Sequence, residues 1–462
     1  MKVRVLDALM GQGKSTKIME DVSKLPFTQP VIYIAPLLSE CHRFAGTMVD
    51  EEGEIVTDEY GTPVCVNNHI LSNKCFRHPN NRNKSGTKLG SLSQLVKEGK
   101  NIVSTHSLFR SLTKEIVEDI QKAGYLLIID EVICVWEKYT MNHYAETDSE
   151  IEDSETDTDK EIRKLINNGF IEVDPAGLLH WQWDKYDATD TSHEEVARLC
   201  DTHQLCIVNG SVVFWEYPVW ALKAFKEVWV ATYGFESSFM CEYFKCHNIS
   251  YHVERFGKHQ SEFKHLVTII DDKKLNSCGD KPNSLSYTNI TKSKTHNEAL
   301  KNNLHNFFQN KMKTKVGDRL WTVYSSKKRS ISGGRYAKSW LAYNTKATNA
   351  YKDANCVAYL INLNANLMVM SLLGHRGVMF DQDKWALSEM VQFVWRSAIR
   401  DEKPITLYVP SKRMRDLFIN WLSEEVKMLD NNERVWLMQG DCLERMQQIP
   451  SGSVDMVLTD PP

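Results

Sequence analysis

The stretch MKVRVLDALMGQGKST, residues 1–16, decides the fold. Lys2 to Asp7 alternates in the manner of a strand, Gly11 and Gly13 make a tight turn, and Lys14 opens a segment that reads as a helix over 14–24. A glycine turn between strand and helix lets successive backbone N–H groups point at a bound phosphate, and the helix adds its positive end. In such a turn Gly11, Gln12, Gly13, Lys14, Ser15 and Thr16 cradle phosphate, Lys14 reaches the β- and γ-phosphates, and Ser15 is a magnesium ligand. The usual spacing GxxxxGK[ST] puts a glycine at position 8, where this chain has Ala8.

A second stretch, YLLIIDEV at 125–132, supplies the acids that such a turn needs. Asp130 and Glu131 follow an apolar run, at the strand end where ligands of parallel sheets bind. By itself the pair reads equally well as a cap on a following helix. Beside Gly13-Lys14-Ser15 it reads as a metal ligand, Asp130, and a carboxylate that orients and activates water, Glu131. Further short apolar runs at 31–36, 101–105 and 227–232 alternate with helical segments, which predicts a parallel sheet and an α/β domain over 1–240. Strands near 319–324, 356–361 and 405–409 predict a second such domain at 255–428, with the polar segment 271–300 as a linker or loop. The acidic run ETDSEIEDSETDTD, near 146–159, reads as a solvated insertion.

Composition narrows the classes. A chain of 462 residues, 42% hydrophobic and 25% charged, can bury cores in two or three domains. A net charge of −4 means that nucleic acid must be met by local basic patches. Lys327, Lys328, Arg329, Arg335 and Lys338 form one candidate patch, read equally as a solvated loop. No apolar stretch approaches the length of a membrane span. Eleven cysteines without a CxxC pair point to reduced thiols and a cytoplasmic setting. Cys200, His203 and Cys206 do not have zinc-knuckle spacing and read as buried thiols and a neighbour.

The order of these motifs resembles superfamily 2 helicases, DEAD/DEAH-like and of the phage type, over residues 1–425. The resemblance implies two tandem RecA-like P-loop NTPase domains with ATP and Mg²⁺ between them, and ATP hydrolysis coupled to movement on DNA. It further implies sequence-independent contacts to the DNA backbone, phage replication proteins as partners, and the host cytoplasm as location. Ile34-Ala35-Pro36-Leu37 and the loop with Thr105 and His106 are similar to the family's nucleic-acid contacts, and Ala231-Thr232 to its coupling motif. Gln392, Arg396 and Arg400, in VQFVWRSAIR, share one face if helical and are similar to the arginine-finger motif, with Arg396 favoured and Arg400 kept. Residues 434–462, ending in Asp460-Pro461-Pro462, resemble the truncated N-terminal part of an N6-adenine/N4-cytosine DNA methyltransferase. Two alternatives therefore stand beside the helicase: a fragment of a helicase–methyltransferase fusion, and a nucleotide-dependent DNA motor or loader without unwinding.

Overall fold

Strands with both faces covered need apolar side chains at every position, and that is how β2 (Val31–Ala35) and β5 (Leu126–Asp130) are built: all ten residues are buried. They belong to a seven-stranded sheet with β1 (Lys2–Asp7), β3 (Phe76–Arg77), β4 (Asn101–Thr105), β11 (Glu227–Thr232) and β12 (His252–Arg255). The order is β12-β1-β11-β5-β2-β4-β3, and every pairing is parallel. The computed structural model describes residues 1–48, single positions at 50, 56, 64 and 71, and residues 74–81, 85–141, 155–332, 334–345 and 348–424. The methyltransferase-like segment 434–462 and most of the acidic run lie outside the described residues.

Alternation along the strands divides the sheet's two faces. Leu127, Ile129, Ile32, Ile34, Val228 and Val230 enter one core, while Leu126, Ile128, Tyr33, Ala35, Trp229 and Ala231 enter the other. The expected fold class is the one observed: α/β, with parallel sheets in two lobes. In the first lobe β11 lies between the strand that enters the glycine turn and the strand that ends in Asp130, the RecA-like order. Residue 240 falls inside the helix Phe239–Cys246, and β12 follows it as an edge strand of the same sheet.

Between β5 and β11 the chain builds a small antiparallel subdomain that the sequence reading did not anticipate. β6 (Trp136–Lys138), β9 (Leu205–Val208) and β10 (Val212–Glu216) pair in one sheet, and β7 (Ile171–Val173) with β8 (Leu179–Trp181) in another. The end of the acidic run is structural rather than solvated. Thr156 and Asp159 form a reciprocal cap on the helix Asp157–Asn167, and the fully buried Asp159 carboxylate accepts from the Val213 amide at 2.8 Å.

The second lobe has four parallel strands in the order β13 (Val267–Ile269), β16 (Ile405–Tyr408), β15 (Cys356–Tyr359), β14 (Arg319–Thr322). The expected linker at 271–300 is instead part of its wall. The helices Tyr287–Lys292 and Lys294–His305 bury Ile290, Leu300 and Leu304 in this lobe's core, and Leu285 joins them. Their remaining faces are polar, so a few widely spaced apolar residues carry the packing, too few to register as periodicity. A strap then runs from the second lobe onto the first: the helix Leu367–His375 places Val369, Leu372 and Leu373 in the first lobe's core. Arg376 at its end meets the buried Glu216 through two hydrogen bonds, at 2.7 and 2.5 Å. In the reverse direction Leu9 and Met10, of the glycine turn, sit in the second lobe's core.

Candidate functional site

Parallel register aligns the carboxyl ends of three strands at one edge. Asp7 of β1 lies opposite Thr232 of β11, and Ala231 lies opposite Asp130 of β5. The glycine turn leaves β1 at this edge, so Lys14 and the two acids are neighbours in space. Gly11 and Gly13 have φ of 84° and 82°, the left-handed region that glycine enters without strain. At Gly13 a side chain would meet open space, so the backbone angle alone selects glycine. At Gly11 a Cβ would lie 3.0 Å from Arg400 Cγ, so the second lobe's close approach selects it too.

These residues line a cavity of about 250 Å³ between the lobes. Gly11, Gly13, Lys14, Ser15, Thr16, Asp130 and Glu131 come from the first lobe, with Arg396 and Arg400 from the second. The volume is below the roughly 300–1,000 Å³ of whole-ligand pockets, and its wall is crowded with charge, which suits the polar end of a ligand. Gln12 and Gln392 are not among the lining residues. Gln12 instead accepts from the Lys258 amide at 3.1 Å and packs against Gly257. The single helical face expected for Gln392, Arg396 and Arg400 is not formed, because the helix Gln382–Val394 ends before Arg396. A turn and a short 3₁₀ segment, Ala398–Asp401, carry the two arginines to the cleft and leave Gln392 behind.

Electrostatics at the site is that of charges held out of water. The Lys14 ammonium donates to the Ala8 and Leu9 carbonyls at 2.7 and 3.3 Å, and burial pushes its pKa below the ordinary lysine value. Burial, with Glu131 alongside, raises the Asp130 carboxyl to about 6. The hydroxyl of Tyr33 donates to Asp130 Oδ2 at 2.5 Å. Glu131 has φ of 62°, unusual for a side chain of its kind, and its carboxylate accepts from Thr232 Oγ1 at 3.0 Å. Arg396 is 4% exposed, and among the described residues its Nε has no hydrogen-bond partner. Burial lowers its pKa as well.

The neighbouring motifs fall close by. His106 makes a ring-nitrogen hydrogen bond to the Asp130 carbonyl at 3.0 Å, while Thr105 caps the short helix after β4. Three lining residues had no recognised role in the sequence. Glu40 and Arg43, of the helix Leu38–Ala45, form an ion pair, and Arg43 donates to Ser15 Oγ at 3.2 Å. Asn349 accepts from Arg400. Spacing alone marks none of them, since they belong to a site only once the strand order is known. Elsewhere, burial raises the thiols of Cys200 and Cys206 to about 12, and the described cysteines are free. No described helix is long and apolar enough to cross a membrane.

Fold and cleft together define a class: an α/β protein of two parallel-sheet lobes with a glycine-turn pocket between them. Residues 261–422 match the family model described as the YonV C-terminal Rossmann-like domain. The chain is 29% identical over 450 residues to the SPbeta prophage-derived uncharacterized protein YonV of Bacillus subtilis (strain 168), covering 92% of this chain and 99% of that protein. It is also similar to the crystal structure of a DEAD box protein from the hyperthermophile Methanococcus jannaschii, at 10% identity over 91% of this chain and 86% of that one. The TM-score of 0.28 is too low for that likeness to bear on the fold, which rests on the sheet order itself.

Proposed function

We propose that this chain is an ATP-dependent, Mg²⁺-requiring DNA helicase or translocase of the superfamily 2 type. Arg396 is the observation that carries the reading. It is a buried guanidinium, supplied by the second lobe to a cavity walled by Lys14, Ser15, Asp130 and Glu131, and its Nε lacks a partner among the described residues. Glu131 offsets part of that buried charge, but the donor at Nε stays unmet, and an anion entering the cleft would satisfy it.

The residues fit a magnesium–triphosphate group on their own chemistry: two left-handed glycines, a buried ammonium, two hydroxyls, three carboxylates and three guanidiniums around one small volume. Ser15 and Asp130 would hold magnesium here, and it would supply positive charge against the phosphate oxygens. In this reading Lys14 leaves the Ala8 and Leu9 carbonyls and turns to phosphate oxygens. Ser15 and Asp130 hold the metal side of the pocket. Glu131, steadied by Thr232, orients a water and takes its proton. Arg396, with Arg400 beside it, meets the negative charge that grows on the transferred group. Because these arginines belong to the second lobe, catalysis and lobe closure are one event.

DNA as the partner is supported by charge segregation. Residues 281–346 contain fourteen lysines and arginines against two acids, in a chain whose net charge is −4. Lys328 lies over the Trp340 ring at 4.1 Å, and Arg329, Arg335 and Lys338 are exposed nearby in sequence. The deciding experiment is ATP turnover with and without single-stranded DNA, duplex DNA and RNA, beside strand displacement. Stimulation by DNA with displacement is expected. Stimulation without displacement identifies a motor or loader, and no turnover under any condition overturns the proposal.

A further inference from the structure

Tyr33 sits in the middle of β2, where every neighbour is an aliphatic or small residue, and it is fully buried. Packing accounts for its ring. The ring stacks on Phe44 of the helix Leu38–Ala45 with centroids 3.7 Å apart and planes 8° from parallel, and Phe44 meets Phe76 edge-on at 5.3 Å. Phenylalanine would pack as well. The hydroxyl needs its own explanation, because a buried O–H without a partner is costly. Its hydrogen bond goes to Asp130 Oδ2. The sheet order makes this contact: β2 is the direct neighbour of β5, with Tyr33 opposite Ile128, two positions before Asp130.

We infer that Tyr33 is a positioning residue for the metal site, and the inference rests on the nucleotide-hydrolysis reading. Its phenol anchors one carboxylate oxygen of Asp130 and so fixes the direction in which the other faces the metal. A carboxylate on a buried strand end has freedom about its terminal torsion, and partners outside the ligand set are what normally hold such a ligand in place. The aromatic stack on Phe44 ties that anchor to the helix that carries Glu40 and Arg43, two further residues of the cavity wall. Tyr33 touches neither nucleotide nor metal in this scheme. It acts only through Asp130.

The test is Tyr33→Phe, which keeps ring, stack and volume. Mn²⁺ is titrated into the full chain with a non-hydrolysable ATP analogue present, with free Mn²⁺ read by electron paramagnetic resonance, and the metal dependence of turnover is measured in parallel. The expected result is metal affinity weaker by roughly 10- to 100-fold. Turnover at saturating metal should be partly recovered, and metal-free analogue binding unchanged. Unaltered Mn²⁺ affinity in Tyr33→Phe overturns the inference while leaving hydrolysis intact. Wild-type protein that shows neither Mn²⁺ binding with the analogue nor turnover overturns the underlying reading instead. Unfolding curves of the two proteins separate a local effect from a global one, and a large loss of stability in the variant also counts against a purely positioning role.

Discussion

Lys14 and Arg396 are cations held out of water and Glu131 has a left-handed backbone, and single substitutions test the roles proposed for them. Lys14→Ala should abolish ATP hydrolysis, and normal turnover would refute the phosphate assignment. Glu131→Gln should keep nucleotide binding and lose turnover, read by equilibrium binding beside steady-state rates. Arg396→Met should cut turnover far more than affinity. Because the guanidinium is buried and its Nε lacks a partner among the described residues, the same change should hold or raise the melting temperature without nucleotide. Asp130 adds a pH signature. Its carboxyl is raised from 3.8 to about 6, so the folded state binds the proton more readily than the unfolded chain. Its contribution to stability is therefore most favourable below pH 3.8 and is lost as pH rises through about 6. Asp130→Asn should be more stable than wild type at pH 8, with the difference shrinking towards pH 4. A difference that does not vary with pH would argue against the buried, raised carboxyl.

At the scale of elements, legibility followed burial pattern. β2 and β5 were readable because strands covered on both faces are unbroken apolar runs, and β1 because it leads into a glycine turn that few other structures require. The helices at 287–305 were missed for the opposite reason: a polar helix resting on a few buried residues looks like a loop. Leu300→Ala tests their weight. A fully buried leucine should cost about 2–5 kcal/mol on truncation, measured by denaturant unfolding, whereas a linker residue would cost almost nothing. The arginines show a different limit. Their four-residue spacing in VQFVWRSAIR suggested one helix face, yet the chain leaves the helix at Val394 and reaches the cleft through a turn. Sequence grouped Arg396 and Arg400 on a helix face, whereas both line one cavity from a turn and a 3₁₀ segment. Glu40 and Arg43 carried no sequence signal, and Asn349 none that gave it a role, because their place at the pocket depends on which strands are neighbours.

At the scale of the whole molecule, the lobes are bound to each other through more than the chain that connects them. The strap helix Leu367–His375 inserts into the first lobe's core, Arg376 pairs with the buried Glu216, and Phe239 stacks on Phe380 at 4.5 Å. Removing Arg376 leaves the buried Glu216 with the His247 ring, at 2.8 Å, as its remaining partner, so Arg376→Ala should cost about 3 kcal/mol, the low end of the range for a broken buried pair, read by denaturant unfolding. A loss well under 1 kcal/mol would mean that His247 alone satisfies Glu216. This double attachment has a geometric outcome. A body fastened to another at several places cannot drift or tumble freely, so any change in how the lobes sit has to work against the strap and against the inserted Leu9–Met10 corner. If this protein steps along a polymer, loosening the strap should lengthen the stride or make it irregular.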